Sequence, residues 1–146
     1  MSNKRYVILV EDDANEELLT IRAFKQINLA NPIVVLRDGV EALDYILARG
    51  RHKDRDPTDA PCVVLLDLKL PKIDGFEVLR QIRSQEVTRH LPVVMMTSSD
   101  EQEDIIRSYQ HGANGYVRKP IVYEEFVRAI SQLGMYWCML NEVPRS

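Results

Sequence analysis

The feature that most restricts this chain is a fivefold alternation. A short apolar run of strand length is followed each time by a segment with apolar residues at helical spacing. Tyr6 to Val10 leads into Ala14 to Ile27, where Leu18, Ile21, Phe24 and Ile27 recur at helical intervals. Ile33 to Leu36 follows the Asn31-Pro32 breaker and precedes a helix carrying Ala42, Leu43, Ile46 and Leu47, which ends near Gly50. Cys62 to Leu66 precedes a helix over 74–85 with Phe76, Val78, Leu79 and Ile82 inward. Pro92 to Met96 precedes a helix over 101–111, and Gly115 to Arg118 precedes a final helix from Tyr123 to about Leu140. Residues 51–61 are polar, charged and contain two prolines, as expected of a long surface loop.

This alternation predicts an α/β fold with a parallel sheet and helices on both faces. Unbroken apolar character in the first, third and fourth runs agrees, because central parallel strands are buried on both sides. For five strands and five helices the expected architecture is doubly wound and flavodoxin-like, in the order 2-1-3-4-5. A chain of 146 residues fits one domain, expected to span 1–146 with a helical extension over about 134–146 and no separate output domain. With 45% hydrophobic and 28% charged residues, disorder is a poor explanation. A net charge of −3 argues against nucleic acid as a partner. No apolar run reaches membrane-spanning length and no signal-peptide core precedes the first strand, so a cytoplasmic protein is expected. The two cysteines, Cys62 and Cys138, are not spaced for metal or redox chemistry and read as separate buried thiols in a reducing compartment.

In an open parallel sheet, ligands bind beyond the carboxyl ends of the strands where strand order reverses. The runs end there in Glu11-Asp12-Asp13, in Asp67, in Thr97-Ser98-Ser99 and in Lys119-Pro120. Carboxylates about 4 Å apart repel by roughly 4 kcal/mol per pair at an effective dielectric of 20, so a cation must offset them. All-oxygen donors with no His or Cys beside them suit Mg²⁺, with Mn²⁺ able to replace it. Lys119 adds an ammonium and Thr97 a hydroxyl, and phosphoryl transfer needs such positioning around an oxygen nucleophile, for which Asp67 is the best placed. Taken singly, Asp13 and Asp74 read as helix caps, each with a Glu three residues on, and Thr97 and Lys119 read as strand-end residues. Complementary groups at the ends of four different strands are what capping does not explain.

Those residues resemble the receiver domains of two-component response regulators, from about Lys4 to Leu133. The resemblance rests on Val10-Glu11-Asp12-Asp13, on the stretch from Leu66 to Gly75, on Met96-Thr97-Ser98, and on the stretch from Gly112 to Pro120. It implies the receiver fold, with Asp67 as phospho-acceptor, Asp12 as direct Mg²⁺ ligand, Glu11 as its partner through water, and the backbone carbonyl of Lys69 completing the metal site. Thr97 and Tyr116 would be the switch residues, and Lys119 the lysine followed by a cis-proline bond. The implied activity is self-catalysed, Mg²⁺-dependent phosphotransfer and dephosphorylation rather than that of a conventional enzyme. The 51–61 loop and the Gly134 to Leu140 end look like the single-domain regulators that serve cyanobacterial-type phytochrome histidine kinases, which would make a phytochrome-type sensor kinase the partner.

Three rival readings are each opposed by particular residues. A phosphorylation-independent binding scaffold has no need of the Asp12, Asp67, Thr97 and Lys119 set. An aspartyl-phosphate phosphatase resembles a pattern with a second acid two residues after the nucleophile, where Lys69 stands here. A flavodoxin-like cofactor binder needs a phosphate-cradling first loop, and Glu11-Asp12-Asp13 would repel phosphate. Phe126, Ile130, Leu133, Trp137 and Leu140 form one apolar stripe on the last helix, and the surrounding excess predicts a homodimer through Tyr123, Phe126, Tyr136 and Trp137.

Overall fold

The computed structural model describes residues 6–26, 31–119 and 122–142. Five strands form the sheet: β1 Val7–Val10, β2 Ile33–Leu36, β3 Val63–Leu66, β4 Val93–Thr97 and β5 Gly115–Arg118. They pair in parallel in the order β2-β1-β3-β4-β5, the arrangement the alternation predicts. Five helices connect and flank them: α1 Ala14–Gln26, α2 Gly39–Ile46, α3 Gly75–Ser84, α4 Gln102–Gln110 and α5 Tyr123–Met135, which runs on into a π-helical turn, Tyr136–Leu140. Ile27, and Pro120 with the bond expected to be cis, lie outside the described residues, as do residues 143–146 of the expected extension.

Alternate strand residues feed two cores. Ile8, Val10, Val64, Leu66, Val93 and Met95 pack with α2 and α3 residues, among them Leu43, Ile46, Leu79 and Ile82. Val7, Leu9, Val63, Leu65, Val94 and Met96 pack on the other face with Phe24 of α1 and with Phe126 and Ile130 of α5. Every residue of β1, β3 and β4 is buried, which is why these strands carry no polar alternation.

The helix starts follow from local chemistry. Asp38 and Asp74 accept from the backbone N–H of Glu41 and Glu77, capping α2 and α3. Asp13 accepts from the N–H groups of Asn15 and Glu16 at the start of α1. The expected reciprocal capping box does not close there, because the Glu16 carboxylate turns to Lys119 instead.

Residues 51–61 are the expected polar loop, entered through a short 3₁₀ turn at Gly50–His52, but the loop is pinned. The Arg55 guanidinium lies 4.2 Å over the Tyr45 ring and donates to the carbonyls of Tyr45 and Asp59 and to the Tyr6 hydroxyl.

Two side chains depart from the periodic reading. Leu18 is 58% exposed, since α1 turns Thr20, Ala23 and Phe24 inward. Leu140 is 69% exposed rather than part of the core stripe. The Asn141 N–H donates to the Tyr136 carbonyl at 2.7 Å, a five-residue step that breaks the 3.6 period and brings Cys138 inward. Phe126, expected at a dimer interface, is buried in the chain's own second core and offers no surface to a partner.

Candidate functional site at the carboxyl edge of the sheet

The β1–β3 register places Val10 opposite Leu66, so the next residues, Glu11 and Asp67, emerge side by side at the switch point. Two backbone bonds hold this edge: Asp67 N–H donates to the Val10 carbonyl and Glu11 N–H to the Leu36 carbonyl. At the far side, Lys119 N–H donates to the Thr97 carbonyl, fixing the end of β5 against that of β4.

Lys119 reaches across the edge. Its Nζ lies 2.6 Å from Glu11 Oε1, 3.3 Å from Asp67 Oδ2 and 2.7 Å from Glu16 Oε2. The side chains of Lys119 and Glu11 are 8% and 2% exposed. Burial pushes the Glu11 carboxyl up to about 7, and the Lys119 contact offsets that only in part. Burial pulls the other way on Lys119, yet the charge of Asp67 and the bonds to Glu11 and Glu16 outweigh it and hold the ammonium above its ordinary range.

Glu11, Asp12 and Asp67 each offer a carboxylate oxygen, all within 4.8 Å of one another, with Asp12 exposed at the rim. Glu11, Glu16 and Asp67 contact one ammonium and Asp12 lies beside Glu11 and Asp67, so the carboxylates outnumber the positive charge. A hard divalent cation fits this donor set, which is entirely oxygen. Lys69 sits two residues beyond Asp67 and its N–H donates to Asp67 Oδ1 at 3.4 Å.

The loop that follows Asp67 is held in place by two glycines. A Cβ on Gly75 would sit 2.3 Å from the Asp67 carbonyl oxygen, and one on Gly39 would sit 2.0 Å from the Ile73 carbonyl oxygen. Only a residue without a side chain lets α2 and α3 approach this loop so closely. Lys72, in the left-handed region at φ 70°, pairs with Asp38 at 3.3 Å and ties the loop to the start of α2.

Thr97 ends β4 fully buried, its Oγ1 accepting from the Ser99 N–H at 3.4 Å. Tyr116 does not point at the acids: its hydroxyl donates to the Ser99 carbonyl at 2.8 Å, and burial raises its pKa. Ser99 in turn donates to Asp104 of α4 at 2.6 Å. The structure therefore gathers Glu11, Asp12, Asp67, Lys69, Thr97 and Lys119 at one edge and links Tyr116 to it through Ser99. Tyr123, Tyr136 and Trp137 belong to α5 and its terminal turn and take no part. Two contributors were not singled out from the sequence. Glu16 lies one helical turn past the acidic cluster, a spacing that could have marked it. Ser99 carried no signal beyond its neighbours.

Comparison with known proteins agrees with this geometry. The description of the response regulator receiver domain matches residues 7–131. Probable methanogenesis regulatory protein FilR2 of Methanothrix harundinacea is 39% identical over 138 residues, covering 94% of this chain and 86% of its own. The solved bacteriophytochrome response regulator AtBRR is 48% identical with a TM-score of 0.76, covering 97% of this chain and all of that one. The Mn²⁺-bound form of response regulator Rcp1, a protein of Synechocystis sp., superposes with a TM-score of 0.86 at 28% identity, covering 96% of this chain and 99% of that one. Among the described residues no helix is long and apolar enough to cross a membrane.

Proposed function

The chain belongs to the response regulator receiver family, and on that premise we propose that it accepts a phosphoryl group on Asp67 and passes the change to a protein-binding face. The observation that carries this reading is the buried Lys119 ammonium lying on Glu11 and Asp67 together. A buried ammonium has three donors to satisfy, and two of them go to these carboxylates. A lysine that spans the acceptor and the acidic pair is placed to follow charge as it arrives.

Asp67 is the nucleophile, with Oδ1 oriented by the Lys69 N–H and Oδ2 facing Lys119. Glu11, Asp12, Asp67 and the Lys69 carbonyl would hold Mg²⁺, a role supported by the Mn²⁺-bound relative. When bound, the ion neutralises the oxygens of the transferring group. Lys119 moves from the carboxylates toward the new phosphoryl oxygens, and the Thr97 hydroxyl donates to one of them. Because Thr97 Oγ1 holds the Ser99 N–H and Tyr116 holds the Ser99 carbonyl, a shift of Thr97 releases both contacts. Tyr116 then moves inward, and the surface formed by α4, β5 and α5 changes. The same site catalyses loss of the phosphoryl group to water.

The donor is a sensor histidine kinase of phytochrome type, supported by the 48% identity to a bacteriophytochrome response regulator. Met135 at the end of α5 and Tyr136, Met139 and Leu140 on the terminal turn are exposed apolar residues and support self-association there. Light scattering on the eluting protein should report a dimer at tens of micromolar.

The decisive experiment incubates the chain with Mg²⁺ and a small phosphodonor and reads intact mass. One phosphoryl addition is expected, absent in Asp67→Asn and in chelator. An Asp67→Asn protein that still gains the group would overturn the assignment.

A further inference from the structure

Cys62 immediately precedes β3 and Cys138 lies in the π-helical turn, 76 positions along the chain, yet their sulfurs are 2.8 Å apart. The covalent distance in a disulfide is about 2.05 Å, so little movement separates this contact from a bond. The two side chains are 1% and 5% exposed and both belong to the core cluster beneath α1 and α5. Sequence spacing hid this pair, because the expectation of two separate thiols had no way to see the five-residue step that turns Cys138 inward.

We propose that Cys62 and Cys138 are a modification site, forming an intramolecular disulfide on exposure to a hydroperoxide and locking the terminal turn onto the sheet. One thiolate attacks a peroxide oxygen, giving a sulfenic acid and, after proton transfer, water. The second thiol then attacks that sulfur, the S–S bond forms, and the hydroxyl leaves as a second water. The sulfurs lose two electrons and the peroxide gains them.

Access comes from the turn. Cys62 is anchored at the mouth of a buried strand, whereas Cys138 sits in a five-residue turn whose flanking residues Tyr136, Met139 and Leu140 are exposed, so local opening costs less there. Cys138 is therefore the first to meet oxidant, and reclosure delivers it to Cys62. Met135, Tyr136, Met139 and Leu140 occupy the same stretch, so the bond adds a covalent tether to an apolar surface that the reduced chain holds by packing and by the turn's backbone hydrogen bonds.

The test uses the full chain with excess hydrogen peroxide, followed by denaturation, thiol alkylation, intact mass and a non-reducing peptide map. The expected product takes up no alkyl groups, contains a peptide linking Cys62 to Cys138, stays a single chain on a non-reducing gel, and reverts with dithiothreitol. Its Tm should rise by roughly 5–10 °C over the reduced form, since a long loop is closed in the unfolded state. Cys138→Ala, placed in the peripheral turn, should fold and yield no linked peptide even if Cys62→Ala does not fold. Asp67→Asn should oxidise like the wild type, which separates this site from phosphorylation. Two thiols still alkylated after treatment, sulfinic acids without a linked peptide, or links only between chains would each overturn the proposal.

Discussion

Replacing Lys119 by Met keeps most of the side chain's length and removes its charge from the centre of the site. The ammonium lies 2.6 Å from Glu11 and 3.3 Å from Asp67, corresponding at an effective dielectric of 20 to attractions of about 6 and about 5 kcal/mol. Desolvating the three groups offsets much of this, and truncating one member of a buried pair costs about 3–5 kcal/mol in practice. Glu16 is 38% exposed and screened by water, so its contact adds at most about 1 kcal/mol. Urea denaturation at pH 8 in chelator should therefore show a loss of about 3–5 kcal/mol, or roughly 10 °C in Tm. Near pH 6 the loss should shrink, because Glu11 escapes the unpaired charge by binding a proton. Millimolar Mg²⁺ should stabilise the variant more than the wild type, by at least about 1.4 kcal/mol, a tenfold gain in affinity, since the ion replaces the missing positive charge. A loss below about 1 kcal/mol in chelator, or equal Mg²⁺ gains in both proteins, would refute the view that Lys119 balances the acids.

With its folded pKa raised by burial to about 7, above the ordinary 4.5, Glu11 contributes stability that is fully present below about pH 4.5 and lost as pH rises through 7. Glu11→Gln should remove that fall, so the difference in unfolding free energy between variant and wild type changes across this window, and a constant difference would contradict the shift. Gly75→Ala drives a Cβ against the Asp67 carbonyl and should cost about 1–3 kcal/mol while lowering phosphoryl uptake in the mass assay. If both stability and uptake are unchanged, the close approach of α3 is not needed. Asp74→Ala should cost about 1 kcal/mol through loss of the bond from the Glu77 N–H, with phosphoryl uptake intact; reduced uptake would give Asp74 a larger part than capping.

The strands were legible because burial on both faces leaves one solution for β1, β3 and β4: continuous apolar residues flanked by breakers. The site was legible for a related reason. In a parallel sheet the register converts being last in a strand into being neighbours in space, so Glu11 and Asp67 meet because Val10 and Leu66 are paired. Lys119 joins them because β5 ends beside β4, where its N–H bonds the Thr97 carbonyl. Side-chain direction has no such rule. Leu18 satisfies a helical period yet faces water, since α1 rotates to bury Phe24, and Glu16 leaves its expected capping partner for a buried ammonium that local spacing cannot register.

The terminal turn shows where periodic reasoning must stop. One bond from Asn141 to the Tyr136 carbonyl spans five residues, and from there a stripe drawn at 3.6 residues per turn picks the wrong face. Leu140 goes outward and Cys138 inward to meet a cysteine from the mouth of β3. The sheet's carboxyl edge can be reconstructed from strand ends alone, because backbone pairing brings those ends together whatever the side chains are. The meeting of Cys62 and Cys138 depends on how a helix finishes, a property of its last few hydrogen bonds, which residue spacing along the chain does not encode.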